Sequence, residues 1–296
     1  MVHERDDMSR ANGIIVSFFM NHPDQGAHMQ TSARHTLFST VVKISLALFL
    51  LIASLVCTAQ EITVAAAADL NFALKEVAQK FEAQTGKKVN LTFGSSGNFF
   101  TGIQNGAPYD LFFSADVAYP QKLEAAGLTE PGTLYRYAVG KLVLWTPNAS
   151  KLDLGRGLAV LADPAVNKVA IANPAHAPYG RAAAAALHAA NLYDRVSPKL
   201  VLGENISQTA EFVQSGNAEI GIIAYSLALA PSMSQAGRYA LIPAELYPPL
   251  EQAVVILKSA KDKATARQFL DFVKSPSGAE VLARYGFTGT SPVTKK

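Results

Sequence analysis

Cysteine is nearly absent from this chain of 296 residues: Cys57 is the only one, so neither an internal disulfide nor a cluster of thiolates holding a metal can form. Histidine is scarce beyond the N-terminal region. Of six, His3, His22, His28 and His35 precede residue 44, leaving His176 and His188. Charge is also in short supply. Charged residues make up 17% and the net charge is +3, too mild for the concentrated basic face of a nucleic-acid binder. Familiar catalytic signatures are missing as well: no G-x-S-x-G elbow, no G-x-x-x-x-G-K-[ST] loop, no G-x-G-x-x-G and no H-E-x-x-H. Hydrolase, nucleotide and zinc-protease readings therefore start with little support. A Ser96–His176–Asp69 relay can be assembled only by pairing distant residues, and a secreted hydrolase stays the weakest alternative.

The apolar run at residues 44–56, ISLALFLLIASLV, is too short for a comfortable membrane span. Arg34 and Lys43 precede it, and Cys57-Thr58-Ala59 follows as a small-residue cleavage site. This is the layout of a secretory signal peptide. The expectation is a leader over residues 1–59, with translation starting at Met29 and cleavage near Ala59. Arg5, Arg10, Arg34 and Lys43 leave together with Glu4, Asp6, Asp7 and Asp24, so the charge balance is unchanged. An exported domain of the remaining length can bury an adequate core without disulfides.

From Glu61 onward, strand-like and helix-like runs alternate. Ile62–Ala67 is an apolar strand, and apolar residues at Leu70, Leu74, Val77 and Phe81 predict a helix over 70–84 that Gly86 ends. Val89–Phe93 and Leu111–Ser114 continue the rhythm, which predicts an α/β fold with a largely parallel sheet. A second unit is expected from Leu142, with strands at 169–172 and 220–224 and helices at 181–190 and 208–214. A strand at 254–257 and two closing helices then return to the first unit. The predicted division is two α/β lobes, residues 60–139 with 252–296 and residues 140–251, enclosing a cleft that hinges shut.

In sheets of this kind ligands sit where strands end and helices begin. The stretch Leu91–Asp116, LTFGSSGNFFTGIQNGAPYDLFFSAD, holds Ser95 and Ser96 between two glycines at a helix start and contains no lysine or arginine. It makes a neutral anion socket, with hydroxyls and first-turn N–H groups as donors. An ordinary capped glycine turn is the alternative. At Ala65-Ala66-Ala67-Ala68-Asp69, small residues let a ligand approach the backbone, and Asp69 reads as the N-cap of helix 70–84. In the loop before helix 181–190, Tyr179 offers a backbone N–H or a ring that packs between lobes. His176 there reads as a solvent-exposed loop residue, and Arg181 as facing solvent. Ahead of helix 208–214, Ile206 offers only its N–H.

Taken in order, VAAAADL (64–70), GSSGNF (94–99), NGAPYDLFFSAD (105–116), AVGKLVLW (138–145), ANPAHAPYG (172–180), GENISQ (203–208) and FVQSGNAEIGIIA (212–224) resemble the periplasmic molybdate-binding proteins of ABC-type uptake systems. KSPSGAEVLARYGF (274–287) extends the resemblance over the whole exported chain. It implies a type II periplasmic-binding fold that holds molybdate or tungstate by hydrogen bonds, with no direct protein–metal bond, no cofactor and no enzymatic activity. It implies as partners a membrane permease and its ATPase, with the carrier a periplasmic monomer. Sulfate or another small tetrahedral oxyanion is the nearest alternative ligand. Position by position, Ser96, Tyr179, Ile206, Asp69 and Ala68 fall on ligand-contact places, with Ser95, Ser207 and Tyr225 as secondary candidates. One branch of the family has serine at the place of Asp69 and a tyrosine hydroxyl at the place of Ala224, where here Tyr225 follows. Another branch has asparagine at the place of Asp69. A carboxylate facing a dianion is repelled by about 4 kcal/mol per unit-charge pair at about 4 Å and an effective dielectric near 20. This cost leaves two expectations, that the Asp69 side chain turns away to cap its own helix, leaving its N–H to the ligand, or that a proton is shared; the first is favoured.

Overall fold

The computed structural model describes residues 60–289; the expected leader lies outside the described residues. Two five-stranded sheets organise the chain. The first has the order β2-β1-β3-β10-β4, built from β1 (Glu61–Ala67), β2 (Lys88–Gly94), β3 (Leu111–Ser114), β4 (Tyr135–Gly140) and β10 (Leu250–Ile256). The second has the order β7-β6-β8-β5-β9, from β5 (Leu142–Pro147), β6 (Val169–Ala172), β7 (Leu200–Gly203), β8 (Ile220–Ala224) and β9 (Gly237–Leu241). The chain passes between the sheets twice, through Lys141 and between β9 and β10.

Both sheets are mixed, not largely parallel. β2, β1 and β3 run parallel, but β10 is antiparallel to both β3 and β4, and β5 is antiparallel to β8 and β9. A parallel neighbour needs a crossover over its own sheet. Strands that enter from the other sheet are free of that requirement, and β5 and β10 are such strands.

Local chemistry sets the helices that matter here. In α1 (Ala73–Thr85) the residues Ala73, Leu74, Val77, Ala78 and Phe81 are buried at helical spacing. Gly86 ends it in the left-handed conformation at φ 71°. α2 (Ser96–Gln104) follows β2, α3 (Ala118–Ala125) follows β3, α4 (Pro178–Ala189) follows β6 and α5 (Ile206–Gln214) follows β7. Proline opens α4, where its lost N–H costs nothing. β3 is buried at every residue because it lies between β1 and β10 with packing on both faces. Phe113 on β3 meets Phe269 of the closing helix α6 (Lys263–Lys274), which Phe81 of α1 also contacts edge-on at 5.2 Å.

Several boundaries move toward the ligand side. The helix expected over 70–84 is a short 3₁₀ turn, Ala68–Leu70, followed by α1. Helices expected from 181 and 208 begin at Pro178 and Ile206, and the helix after the serine pair begins at Ser96. Each shift brings a candidate residue from the preceding loop into a first helical turn.

Candidate functional site

The carboxyl ends of β1 and β2 in one sheet, and of β6 and β7 in the other, converge on a small cavity of about 10 Å³. Ala68, Asp69, Ser95, Ser96, Tyr179 and Ile206 line it, together with Ala67, Gly94, Ala115, Ala177 and Pro178. Among these residues only Asp69 bears a charge, and none is cationic. Ser207 and Tyr225 do not line this cavity. Ser207 donates its hydroxyl to the carbonyl of Ala68 at 2.9 Å. Tyr225 packs its ring against Tyr239, because β8 ends at Ala224 and the next residue turns outward into a new helix.

Three of the four helix starts at the cavity carry no side-chain cap: those after Ala67, Ser95 and Ala177. No capping side chain competes for the N–H groups of Ser96 and Tyr179 there, while that of Gly97 donates to the carbonyl of His176 and those of Asp69 and Leu70 lie near the Asp69 carboxyl. At the fourth, Asn205 Oδ1 accepts from the N–H groups of Ser207 and Gln208 at 3.0 and 3.1 Å, and so passes over Ile206. Ser96, 1% exposed, accepts the N–H of Ala115 on Oγ at 3.0 Å. Its hydroxyl proton is thereby directed elsewhere. Ser95 spends its hydroxyl on the carbonyl of His176 at 2.7 Å, so its position at the wall does not make it a donor.

Asp69 departs from the expected cap. No side chain caps the turn it sits in. Instead Oδ2 accepts from Gln252 Nε2 at 2.6 Å and from the Tyr179 hydroxyl at 2.9 Å, while Tyr137 donates to Gln252 Oε1 at 2.7 Å. The 3₁₀ turn explains the change, since it aims the carboxyl into the core between the sheets, away from α1. Burial pushes the Asp69 pKa up to about 6, against the hydrogen bonds of Gln252 and Tyr179 and the nearby N–H groups of Asp69 and Leu70. Burial first, and the Asp69 charge second, hold the phenols of Tyr179 and Tyr137 well above their ordinary range. Tyr179 thus serves the site as a buried hydroxyl bridging the sheets, a role beyond the ring packing or N–H expected of it.

Further bonds join the sheets around the cavity. The N–H of Gly97 donates to the carbonyl of His176 at 2.9 Å. His176 is partly buried: its Nδ1 lies 2.9 Å from Ser95 Oγ and its Nε2 3.5 Å from Glu204, which also accepts from Asn98. Arg181 pairs with Asp116 at 2.7 Å and donates to the Tyr119 hydroxyl. Neither residue is the free solvent group expected from the sequence. His176 turns to Ser95 and Asp69 to Tyr179 and Gln252, so the Ser96–His176–Asp69 relay is not formed.

Residues 62–288 match the family model of bacterial extracellular solute-binding proteins. The chain belongs to this family. Within it, the chain is 42% identical over 235 residues to the molybdate-binding protein ModA of Azotobacter vinelandii, covering 79% of this chain and 92% of the relative. It is 39% identical over 234 residues to ModA of Rhodobacter capsulatus, covering 79% and 90%. The structure of the Azotobacter vinelandii periplasmic molybdate-binding protein superposes with a TM-score of 0.74 at 34% identity, covering 78% of this chain and all of that one.

Three residues around the cavity wall carried too little local signal to be picked out from the sequence. Gln252 and Tyr137 support Asp69 from β10 and β4. Gly140 lets the Tyr179 hydroxyl approach, since a Cβ there would lie 2.2 Å from it. Gln252 alone left a trace, as a polar residue directly before the apolar run AVVI.

Proposed function

We propose that this chain is an exported, periplasmic carrier that captures molybdate or tungstate and delivers it, as a monomer, to a membrane permease driven by a cytoplasmic ATPase. The reading rests most on one observation. Helix starts from two sheets, three of them uncapped, meet at a buried cavity without a cation. Such a cavity offers dipoles and a hydroxyl to an anion, each helix start worth about 0.3–1 kcal/mol and up to about 2 kcal/mol when partly buried. The names of the relatives support molybdate as that anion. Ser96 Oγ and the N–H groups of Ala68, Asp69, Ser96, Tyr179 and Ile206 are the proposed donors. They reach the oxygens of the anion, with no bond to the metal atom and no chemical step.

Closure excludes water and strengthens these neutral bonds. Sulfate has the charge of molybdate, so cavity size must reject it. Titration calorimetry with molybdate, tungstate, sulfate and phosphate tests the reading, which requires the first two to bind far more tightly than sulfate. Ser96→Ala should weaken molybdate binding by about tenfold or more, equivalent to one lost hydrogen bond of about 1.4 kcal/mol. An unchanged dissociation constant would remove Ser96 from the site.

A further inference from the structure

We propose that in the ligand-bound protein the Asp69 carboxyl carries a proton on Oδ1 and donates it to an oxygen of the oxyanion, so that capture takes up one proton from solvent and release returns it. The inference rests on the oxyanion reading above and concerns the same cavity.

The hydrogen-bond network fixes where the proton sits. Tyr137 donates to Gln252 Oε1, which orients the amide so that Nε2 faces the carboxyl. Gln252 Nε2 also donates to the Tyr179 oxygen at 3.0 Å, leaving the Tyr179 proton to go to Asp69. Oδ2 therefore receives two donors and has no room for a proton of its own. Oδ1 is buried in a residue that lines the cavity, and it has no hydrogen-bond partner. A bare Oδ1 beside a dianion is both unsatisfied and repelled, and one proton placed there removes both penalties.

The surroundings supply no competing charge. Tyr179 from α4 and Tyr137 from β4 are the titratable groups that face Asp69, and both stay neutral. Gln252 from β10, Ser226, which donates to the Asp69 carbonyl at 2.7 Å, and Ile206 and Ser207 of α5 do not titrate. The raised Asp69 pKa of about 6 agrees with this geometry, because the carboxyl is within easy reach of protonation before any ligand arrives.

The test is calorimetric titration of the full exported protein with molybdate from about pH 5 to pH 8, in buffers of differing ionisation enthalpy. Affinity is expected to fall by about tenfold per pH unit above pH 6, with uptake approaching one proton. Asp69→Asn keeps an acceptor for Gln252 and Tyr179 and places an N–H donor where the Oδ1 proton would be. It is expected to bind molybdate with an affinity independent of pH and with no proton uptake. His176 is the imidazole at the rim, beside Glu204, and His176→Asn should keep the wild-type pH dependence. A pH-independent affinity in the wild type overturns the inference while leaving the oxyanion reading intact. So does loss of molybdate binding in Asp69→Asn with an unchanged melting temperature. Failure of the wild type to bind molybdate or tungstate at any pH overturns the oxyanion reading itself.

Discussion

Gly97→Ala is expected to weaken molybdate binding by about a hundredfold or more while leaving the melting temperature of the ligand-free protein within a few degrees of wild type. A Cβ at position 97 would lie 2.5 Å from the carbonyl oxygen of His176 and 2.9 Å from its Cα. Both are backbone atoms of the other sheet's loop, so no side chain can move aside to make room. The same glycine donates its N–H to that carbonyl, and the added methyl would break this bond as well. These atoms belong to loops of different sheets, so the strain falls on the junction between the sheets and not on the folding of either one. Losing about two converging hydrogen bonds costs about 3 kcal/mol, which is the hundredfold. Calorimetry gives the affinity, and small-angle scattering with molybdate should show a variant that stays more open than wild type. Wild-type affinity in Gly97→Ala would mean that the contact between these loops is not needed for capture.

Gln252→Leu is expected to destabilise the protein by about 3–5 kcal/mol near pH 8 and by about 1–3 kcal/mol near pH 5. Gln252 is fully buried and makes three hydrogen bonds, to Asp69, Tyr179 and Tyr137. Leucine fills the space but strips donors from the carboxylate and a partner from Tyr137. The direction of the pH effect follows from the raised pKa of Asp69, about 6 when folded. Stability associated with this group is complete below its unfolded pKa and is lost as pH rises through the folded one. Removing Gln252, which holds the pKa down, pushes the folded value higher and deepens the loss above pH 6. Urea unfolding at the two pH values checks this. The double variant with Asp69→Asn should recover part of the loss at pH 8 and little at pH 5. Equal destabilisation at both values would show that Asp69 is not charged in the folded protein.

How much of the site was readable depended on whether a residue acts through its own neighbourhood in sequence. Ser96 stood out as a candidate because the glycines flanking the serine pair lie within a few positions and the strand-to-helix change is local. Ile206 was nearly invisible, since a donor that offers only a backbone N–H leaves no mark in side-chain chemistry. Its availability follows from Asn205 capping the two N–H groups beyond it. Asp69 was misread as a cap because that is its cheapest local use. The actual partners are on β10 and α4, separated by 183 and 110 positions. Tyr225 illustrates the opposite error: one residue past the end of β8, it faces away from the cavity into a contact with Tyr239. β4, β7 and β9 went unread as strands, and each lies at the edge of its sheet. Their burial alternates or is partial, so the apolar runs that mark central strands are weak there.

The sequence by itself determined the α/β rhythm, the serine pair between glycines at the strand-to-helix junction Gly94–Gly97 and, through a series of motifs in order, the resemblance to molybdate carriers. These are local or linear properties: periodicity, turn chemistry, and the absence of cations near the donors. The tertiary structure alone decided what surrounds that junction and which way Asp69 faces. It set Gly97 against His176, tied Ser95 to the other sheet, and sealed Asp69 among Tyr179, Gln252 and Tyr137. The physical reason is that a buried carboxyl is governed by the donors that folding brings within about 3 Å. Here those donors come from segments that share no local pattern with the residue they control.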